Sequence, residues 1–302
     1  MTSLTLFTPS GVVPKAAPLR LAAGRLGQLG FEVRIDDAAL ARSQRFGGDD
    51  ATRLAAIDRV ARAAPSVAMA VRGGYGLTRL LDRIDWKRVA RSVEAGTRWV
   101  GHSDFTAFQM ALLRHAGAGS WHGPMALDDF GRSDEQGGVD EVTRDCFVEA
   151  MGGELEALGF RTEAGFDGLQ ARGRLWGGNL TMLCSMLGTP HGPDARLDKG
   201  GVLFLEDVNE HPYRIERGLL QLAQAGVLKA QKAVLLGAFT AWKPSPLDRG
   251  YSLKTVVAHL RATTKAPILT GLPFGHVQPK VCLPVSRRVQ LVVQGRDALI
   301  GW

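Results

Sequence analysis

The sequence predicts an α/β protein of two domains, a parallel sheet covered by helices and then a mixed α/β domain. Three observations predict it. The chain has 302 residues, at the upper end of the roughly 250–300 residues beyond which single cores give way to domains. Strand and helix signals alternate through its first half, the order that builds a parallel sheet flanked by helices. The end of the chain, Val281 to Trp302, alternates with the period of β-structure and turns at Gly295.

Leu4 to Phe7 predicts a short buried strand, stopped by Pro9-Ser10-Gly11. Leu19 to Leu29 carries apolar residues at helical spacing and ends at Gly30. Phe31 to Ile35 alternates as a strand. Asp49-Asp50 is placed to cap a helix reaching about Arg62, with Leu54, Ile57 and Val60 on one face. Ser66 to Val71 is an apolar run before the turn Gly73-Gly74-Tyr75-Gly76, and Leu77 to Leu81 predicts the start of another helix. Trp99-Val100 is a short strand and Phe105 to His115 a helix.

From Gly131 to about Gly168 the chain is polar and glycine-rich, with one helical stretch over Val139 to Ala150. This predicts a crossover at 136–170 between an N-terminal domain at 1–135 and a C-terminal domain at 171–302. The second half predicts an apolar helix after Gly177-Gly178-Asn179, a strand at Val202 to Leu205 and a helix around Arg217 to Ala225. A strand at Ala233 to Ala238, a helix at Leu253 to Leu260 and a strand at Ile268-Leu269 follow.

The composition, 45% hydrophobic and 22% charged, is that of a soluble globular protein. The net charge is +7, but the basic residues are scattered among acids. The densest clusters are Arg287-Arg288 and Arg214 with Arg217, and no basic run is interleaved with aromatics. That argues against nucleic acid and suits a substrate carrying carboxylates equally well. Three cysteines, Cys146, Cys184 and Cys282, stand far apart and never as C-x-x-C, the usage of a reducing compartment. Met1 to Phe7 lacks the basic region and apolar length of a signal peptide. No stretch approaches the roughly 18 apolar residues of a membrane span. The expectation is a cytoplasmic protein that binds no membrane.

Four constellations carry the candidate chemistry. Gly101-His102-Ser103-Asp104 lies between a strand and a helix. A serine on such a turn projects its hydroxyl from the end of a sheet, with amides at the helix N-terminus ready for an oxyanion. Phe105 replaces the last glycine of G-x-S-x-G, so on the tetrapeptide alone a helix cap competes with a nucleophile. Arg72-Gly73-Gly74-Tyr75-Gly76 follows a strand. It leaves open a plain turn, an oxyanion amide, and a nucleotide loop, although Arg79 stands where a dinucleotide site wants its third glycine.

Glu206-Asp207-Val208-Asn209-Glu210-His211 stands at a strand end, where acids either face a site or are simply solvated. A zinc site needs H-x-x-E-H, and Asp207 occupies the first histidine's place. No H-E-x-x-H or C-x-x-C occurs elsewhere, so neither a metal nor another cofactor is expected. Gly275-His276 lies in a loop, free to enter a cleft or lie on the surface. The order serine, acid, histidine is one known for serine triads.

Taken in order, these motifs resemble the LD-carboxypeptidases, the bacterial muramoyl-tetrapeptide carboxypeptidases. The resemblance runs over nearly the whole chain. It includes Thr8-Pro9-Ser10-Gly11, Val71 to Gly76, Gly101 to Thr106, Gly123-Pro124-Met125, Trp176 to Leu180, Leu205 to Pro212 and Gly275-His276. It implies a flavodoxin-like or amidotransferase-like N-terminal domain and a smaller C-terminal α/β domain, commonly in a homodimer. It also implies a triad of Ser103, Glu206 and His276, with the amides of Gly74 and Asp104 as oxyanion hole. The implied substrate is a murein tetrapeptide or muropeptide that loses its terminal D-alanine in cell-wall recycling. Arg72 and Arg214 are the candidates for gripping the terminal carboxylate. Two rivals remain. One is a related hydrolase of aminoacyl-nucleotide antibiotics, for which Trp242 is the candidate stacking aromatic. The other is a non-catalytic α/β ligand-binding protein.

Overall fold

A computed structural model describes residues 2–196 and 198–302, and the chain divides into two compact units. The first comprises Met1–Leu155 with Pro279–Val285, the second Glu156–Gln278 with Ser286–Trp302.

The first unit begins with β1 (Thr2–Phe7), α1 (Ala16–Gln28), β2 (Phe31–Ile35), α2 (Asp50–Ala63) and β3 (Val67–Ala70). It continues with α3 (Trp86–Glu94), β4 (Arg98–Gly101), α4 (Phe105–Ala116), β5 (Ser120–His122) and α5 (Glu141–Gly152). The second unit holds β6 (Ala157–Arg161), β7 (Gln170–Asn179), α6 (Leu180–Ser185), β8 (Val202–Val208), α7 (Pro212–Gln224), β9 (Ala233–Thr240), α8 (Leu253–Thr263) and β10 (Ile268–Thr270). The chain then supplies β11 (Leu283–Val285) to the first unit and closes the second with β12 (Arg288–Gln294) and β13 (Asp297–Gly301).

In the first sheet the strand order is β2-β1-β3-β4-β5-β11. Its first five strands are parallel, in the flavodoxin-like order 2-1-3-4-5, and β11 joins β5 antiparallel. Both faces are covered, so β3 reads as a continuous apolar run rather than an alternating one. Leu4, Leu6, Val67, Met69, Trp99 and Val100 are fully buried. Phe7 meets Trp99 edge-on at 5.4 Å between ring centroids. Asp49 caps α2, its carboxylate accepting from the amide of Thr52 at 2.7 Å, as its place before the apolar face predicts.

The second sheet runs β10-β9-β8-β7-β12-β13-β6. β7 to β10 pair in parallel, while β12, β13 and β6 add antiparallel strands. The unit is therefore mixed α/β, built on a core that includes Trp176, Leu203, Phe204, Leu205 and Leu235.

Several expectations need correction. Leu77 to Leu81 does not begin an α-helix. It forms two single 3-10 turns, Leu77–Arg79 and Leu81–Arg83. The Leu81 carbonyl accepts from the Trp86 indole at 3.0 Å, and Asp85 starts α3 instead by capping the amide of Arg88. The β-period of the chain end does not belong to one domain, because Leu283–Val285 pairs with β5 in the first unit. Alternation reports a pleat and is silent on the partner strand. Over 136–170 the chain forms α5 and β6, and the division between the units falls after Leu155.

Candidate active site

The first unit presents Ser103 at the end of β4. Its φ of +62° lies in the left-handed region, a conformation a non-glycine residue keeps only where the surroundings enforce it. Enforcement is visible on both sides. The Gly101 carbonyl accepts from Gln109 Nε2 at 3.3 Å and from the Gly123 amide at 3.2 Å. Asp104 stands at the N-cap of α4, yet its side chain makes no cap bond there. Its Oδ2 instead accepts from the amide of Leu77 at 3.0 Å. The helix-cap reading of this tetrapeptide therefore fails for Asp104, whose carboxylate ties the serine turn to the glycine turn after β3. Asp104 is 1% exposed. Burial pushes its carboxyl up from the ordinary range, against the lowering effect of the Leu77 amide.

The glycine turn lies directly on the serine. A Cβ at Gly73 would stand 2.7 Å from both Cβ and Oγ of Ser103 and 3.5 Å from the amide nitrogen of Asp104. Only glycine allows this approach. On its other side the Gly73 carbonyl accepts from the Gly11 amide at 3.1 Å. The loops after β1, β3 and β4 thus converge at the carboxyl ends of the strands, where the order reverses and open α/β sheets bind ligands. Arg72 donates through Nη1 to the Val12 carbonyl at 2.9 Å.

In the second unit Glu206 lies within β8 and is fully buried. The solvated strand end weighed for it is excluded. His276 donates through Nδ1 to Glu206 Oε2 at 2.8 Å, with the imidazole 22% exposed and the carboxylate not at all. The loop carrying His276 is held to β9, because the Ala238 amide donates to the Phe274 carbonyl at 2.8 Å. Gly275 takes φ +128°, and a Cβ there would lie 3.1–3.2 Å from Glu206 and the Ala238 carbonyl. The glycine beside the histidine is what lets the loop lie against the acid.

Asn179 is the residue that the motif-by-motif reading assigned no role. Its Nδ2 donates to Glu206 Oε1 at 3.1 Å and to Asp207 Oδ1 at 2.9 Å, while its Oδ1 accepts from the Met182 amide as the cap of α6. One amide orients both acids. The signal was an asparagine immediately before an apolar helix. Asp207 accepts at Oδ2 from the amide and hydroxyl of Thr181. Burial raises its carboxyl above the usual range, with the Glu206 charge adding to the rise. A cavity of about 160 Å³ is lined by Asp207, Glu210, Arg214 and Arg217 among others. There the Arg214 guanidinium pairs with Glu210. His211 faces Asp248 at 3.2 Å and meets Trp242 at 5.5 Å between ring centroids. Among the described residues no group of three His, Cys, Asp or Glu side chains is placed to hold a metal ion. No helix among them is long and apolar enough to cross a membrane.

Comparison with known proteins gives this geometry a family. Residues 4–123 match the LD-carboxypeptidase N-terminal domain and residues 172–291 the LD-carboxypeptidase C-terminal domain. The chain is 30% identical over 296 residues to a probable murein peptide carboxypeptidase of Bacillus subtilis, covering 96% of this chain and 90% of that one. It is 32% identical over 209 residues to the murein tetrapeptide carboxypeptidase of Pseudomonas aeruginosa, covering 68% and 66%. The crystal structure of muramoyltetrapeptide carboxypeptidase from Oxalobacter formigenes superposes with a TM-score of 0.88 at 41% identity, over 99% of this chain and 98% of that one. The microcin C7 self-immunity protein MccF, in complex with aspartyl sulfamoyl adenosine, superposes with a TM-score of 0.85 over 100% and 96%. Its 18% identity makes that likeness one of fold alone. The chain belongs to the LD-carboxypeptidase family, the serine peptidases whose two domains it carries in order.

Proposed function

We propose that this chain cleaves murein tetrapeptides between the L-centre of the diamino acid and the terminal D-alanine, using Ser103, His276 and Glu206 as its triad. The observation that carries the reading is the bond from His276 Nδ1 to the buried Glu206. With Nδ1 committed to the acid, Nε2 is the nitrogen that takes the serine proton. In the proposed reaction Ser103 Oγ attacks the carbonyl carbon as its proton passes to His276. The amides of Gly74 and Asp104 hold the oxyanion. The imidazolium returns the proton to the departing amine of D-alanine, and water hydrolyses the acyl-enzyme by the same route. Arg72 and Arg214 are the proposed partners of the substrate's terminal carboxylate.

The three cysteines are free, which suits a reducing compartment, and the cytoplasm is the compartment proposed. A homodimer is the proposed assembly, to be checked by light scattering. The decisive experiment incubates the protein with murein tetrapeptide and follows by mass the loss of one alanine. Ser103→Ala should fold normally and lose turnover, since loss of a triad member costs on the order of 10⁶ in rate. A folded variant retaining about a tenth of the wild-type rate would remove Ser103 from the role.

A further inference from the structure

Behind the serine turn lies a buried charged network that the triad does not use. Lys280 is 2% exposed, and its ammonium donates to Asp129 Oδ1 at 2.9 Å and to Oδ2 at 3.0 Å. It also lies 3.2 Å from Nε2 of His102, the fully buried residue immediately before Ser103. His102 Nδ1 is 2.9 Å from the Gly123 carbonyl. A carbonyl only accepts, so Nδ1 carries the proton and Nε2 turns its lone pair to the ammonium. Both ends of the network are anchored. Asp129 Oδ2 accepts from the Met125 amide at 2.8 Å, and the Lys280 amide donates to Thr143 Oγ1 at 2.8 Å. All these residues belong to the first unit.

Stability is a poor reason for such a network. Burying an ammonium and a carboxylate carries a desolvation cost for each ion, and apolar replacements of similar volume are often as stable. What an ion pair offers and an apolar pair does not is direction. The three donors of one ammonium are spent on two carboxylate oxygens and one ring nitrogen. The imidazole is thereby fixed in rotation and in tautomer, and its backbone leads directly into the residue at φ +62°.

We propose that Lys280, held by Asp129, is a positioning residue for the nucleophile: it locks His102 and through it the strained turn that aims Ser103. The inference rests on Ser103 being the nucleophile. Lys280 touches no reacting atom, and its effect is geometric, because misplacement of about 1 Å at a nucleophile costs on the order of 100-fold in rate.

The test uses the full chain and two readouts, turnover of murein tetrapeptide and the rate at which a fluorophosphonate probe modifies Ser103. Lys280→Met should lower kcat and the labelling rate together by about 10- to 100-fold, with KM within about twofold of wild type. Because it leaves Asp129 buried without its partner, the double variant Lys280→Met, Asp129→Leu is the second arm. It should regain the wild-type melting temperature without regaining the rate. His102→Gln offers an amide oxygen to the ammonium and an N–H to the Gly123 carbonyl, and should retain most activity where His102→Leu does not. Recovery of kcat together with melting temperature in the double variant would overturn the proposal, as would His102→Leu turning over at the wild-type rate. A wild-type enzyme that cleaves the peptide but is never labelled at Ser103 would overturn the nucleophile assignment and this inference with it. Normal labelling with unaffected Lys280 variants would overturn this inference alone.

Discussion

Glu206 accepts the Nδ1 proton of His276 at 2.8 Å from a position with no exposure to solvent. A carboxylate so placed stabilises the charge the imidazole acquires during proton transfer and holds its tautomer. Glu206→Gln keeps the shape and removes the charge. A fall in kcat of about 10⁴ with little change in KM is expected, measured by steady-state release of D-alanine. An active variant would move the acid's role to Asp207 or Glu210.

Gly73→Ala tests how closely the glycine turn must approach the serine. The added methyl would meet Ser103 Oγ at 2.7 Å, inside any tolerable contact, so either the turn or the hydroxyl must shift. A loss of about 100-fold or more in kcat is expected. The fold should survive, because the contact lies at the carboxyl ends of the strands and not in the apolar core between sheet and helices. Circular dichroism and melting checks the fold, and probe labelling of Ser103 checks the nucleophile. Wild-type labelling would show that the turn yields at little cost.

Asp104 gives a stability prediction with a definite sign. Burial raises its pKa above the ordinary 3.8 in the folded protein. The folded state therefore holds this proton to higher pH than the unfolded chain does. The group's contribution is fully present below the unfolded pKa and is lost as pH rises through the raised folded value. Asp104→Asn cannot ionise and still offers an oxygen to the Leu77 amide. Stability of wild type relative to this variant should therefore fall as pH rises above about 4, read as the difference in urea midpoints. The opposite trend would mean that the bond from Leu77 outweighs burial.

How far the fold and site were legible depended on what each residue's evidence was. The apolar runs of β3 and β8 were read correctly because their neighbours bury them on both faces. β5 is three residues, too short for a period to show, and β11 fell within the alternating chain end, which does not record that its partner is β5. Ser103 and His276 sat in a strand-to-helix turn and a glycine-flanked loop, Glu206 followed an apolar run, and their order carried the family resemblance. Asn179 was visible as a cap but not as the amide that orients two acids. Lys280 was invisible as a buried group, since lysine is almost never fully buried unless paired, and its partner Asp129 lies 151 residues away. No local pattern records a pairing at that range.

The last prediction concerns the bond cleaved. A tetrapeptide ending in D-alanine should release that residue, and the pentapeptide ending in D-alanyl-D-alanine should not. An exopeptidase recognises the terminal carboxylate at one distance from its nucleophile, with a cation such as Arg72 or Arg214 the proposed partner. A pentapeptide seated with its carboxylate there presents a D,D bond to Ser103. The residue on the acyl side then has inverted chirality, so its side chain points where the L-substrate carries hydrogen. The carbonyl must shift, and a shift of about 1 Å costs on the order of 100-fold. Offering both peptides at equal concentration and measuring released D-alanine decides the matter. Release from the tetrapeptide alone is the expected result, and equal release from both would keep the serine chemistry while overturning the proposed specificity.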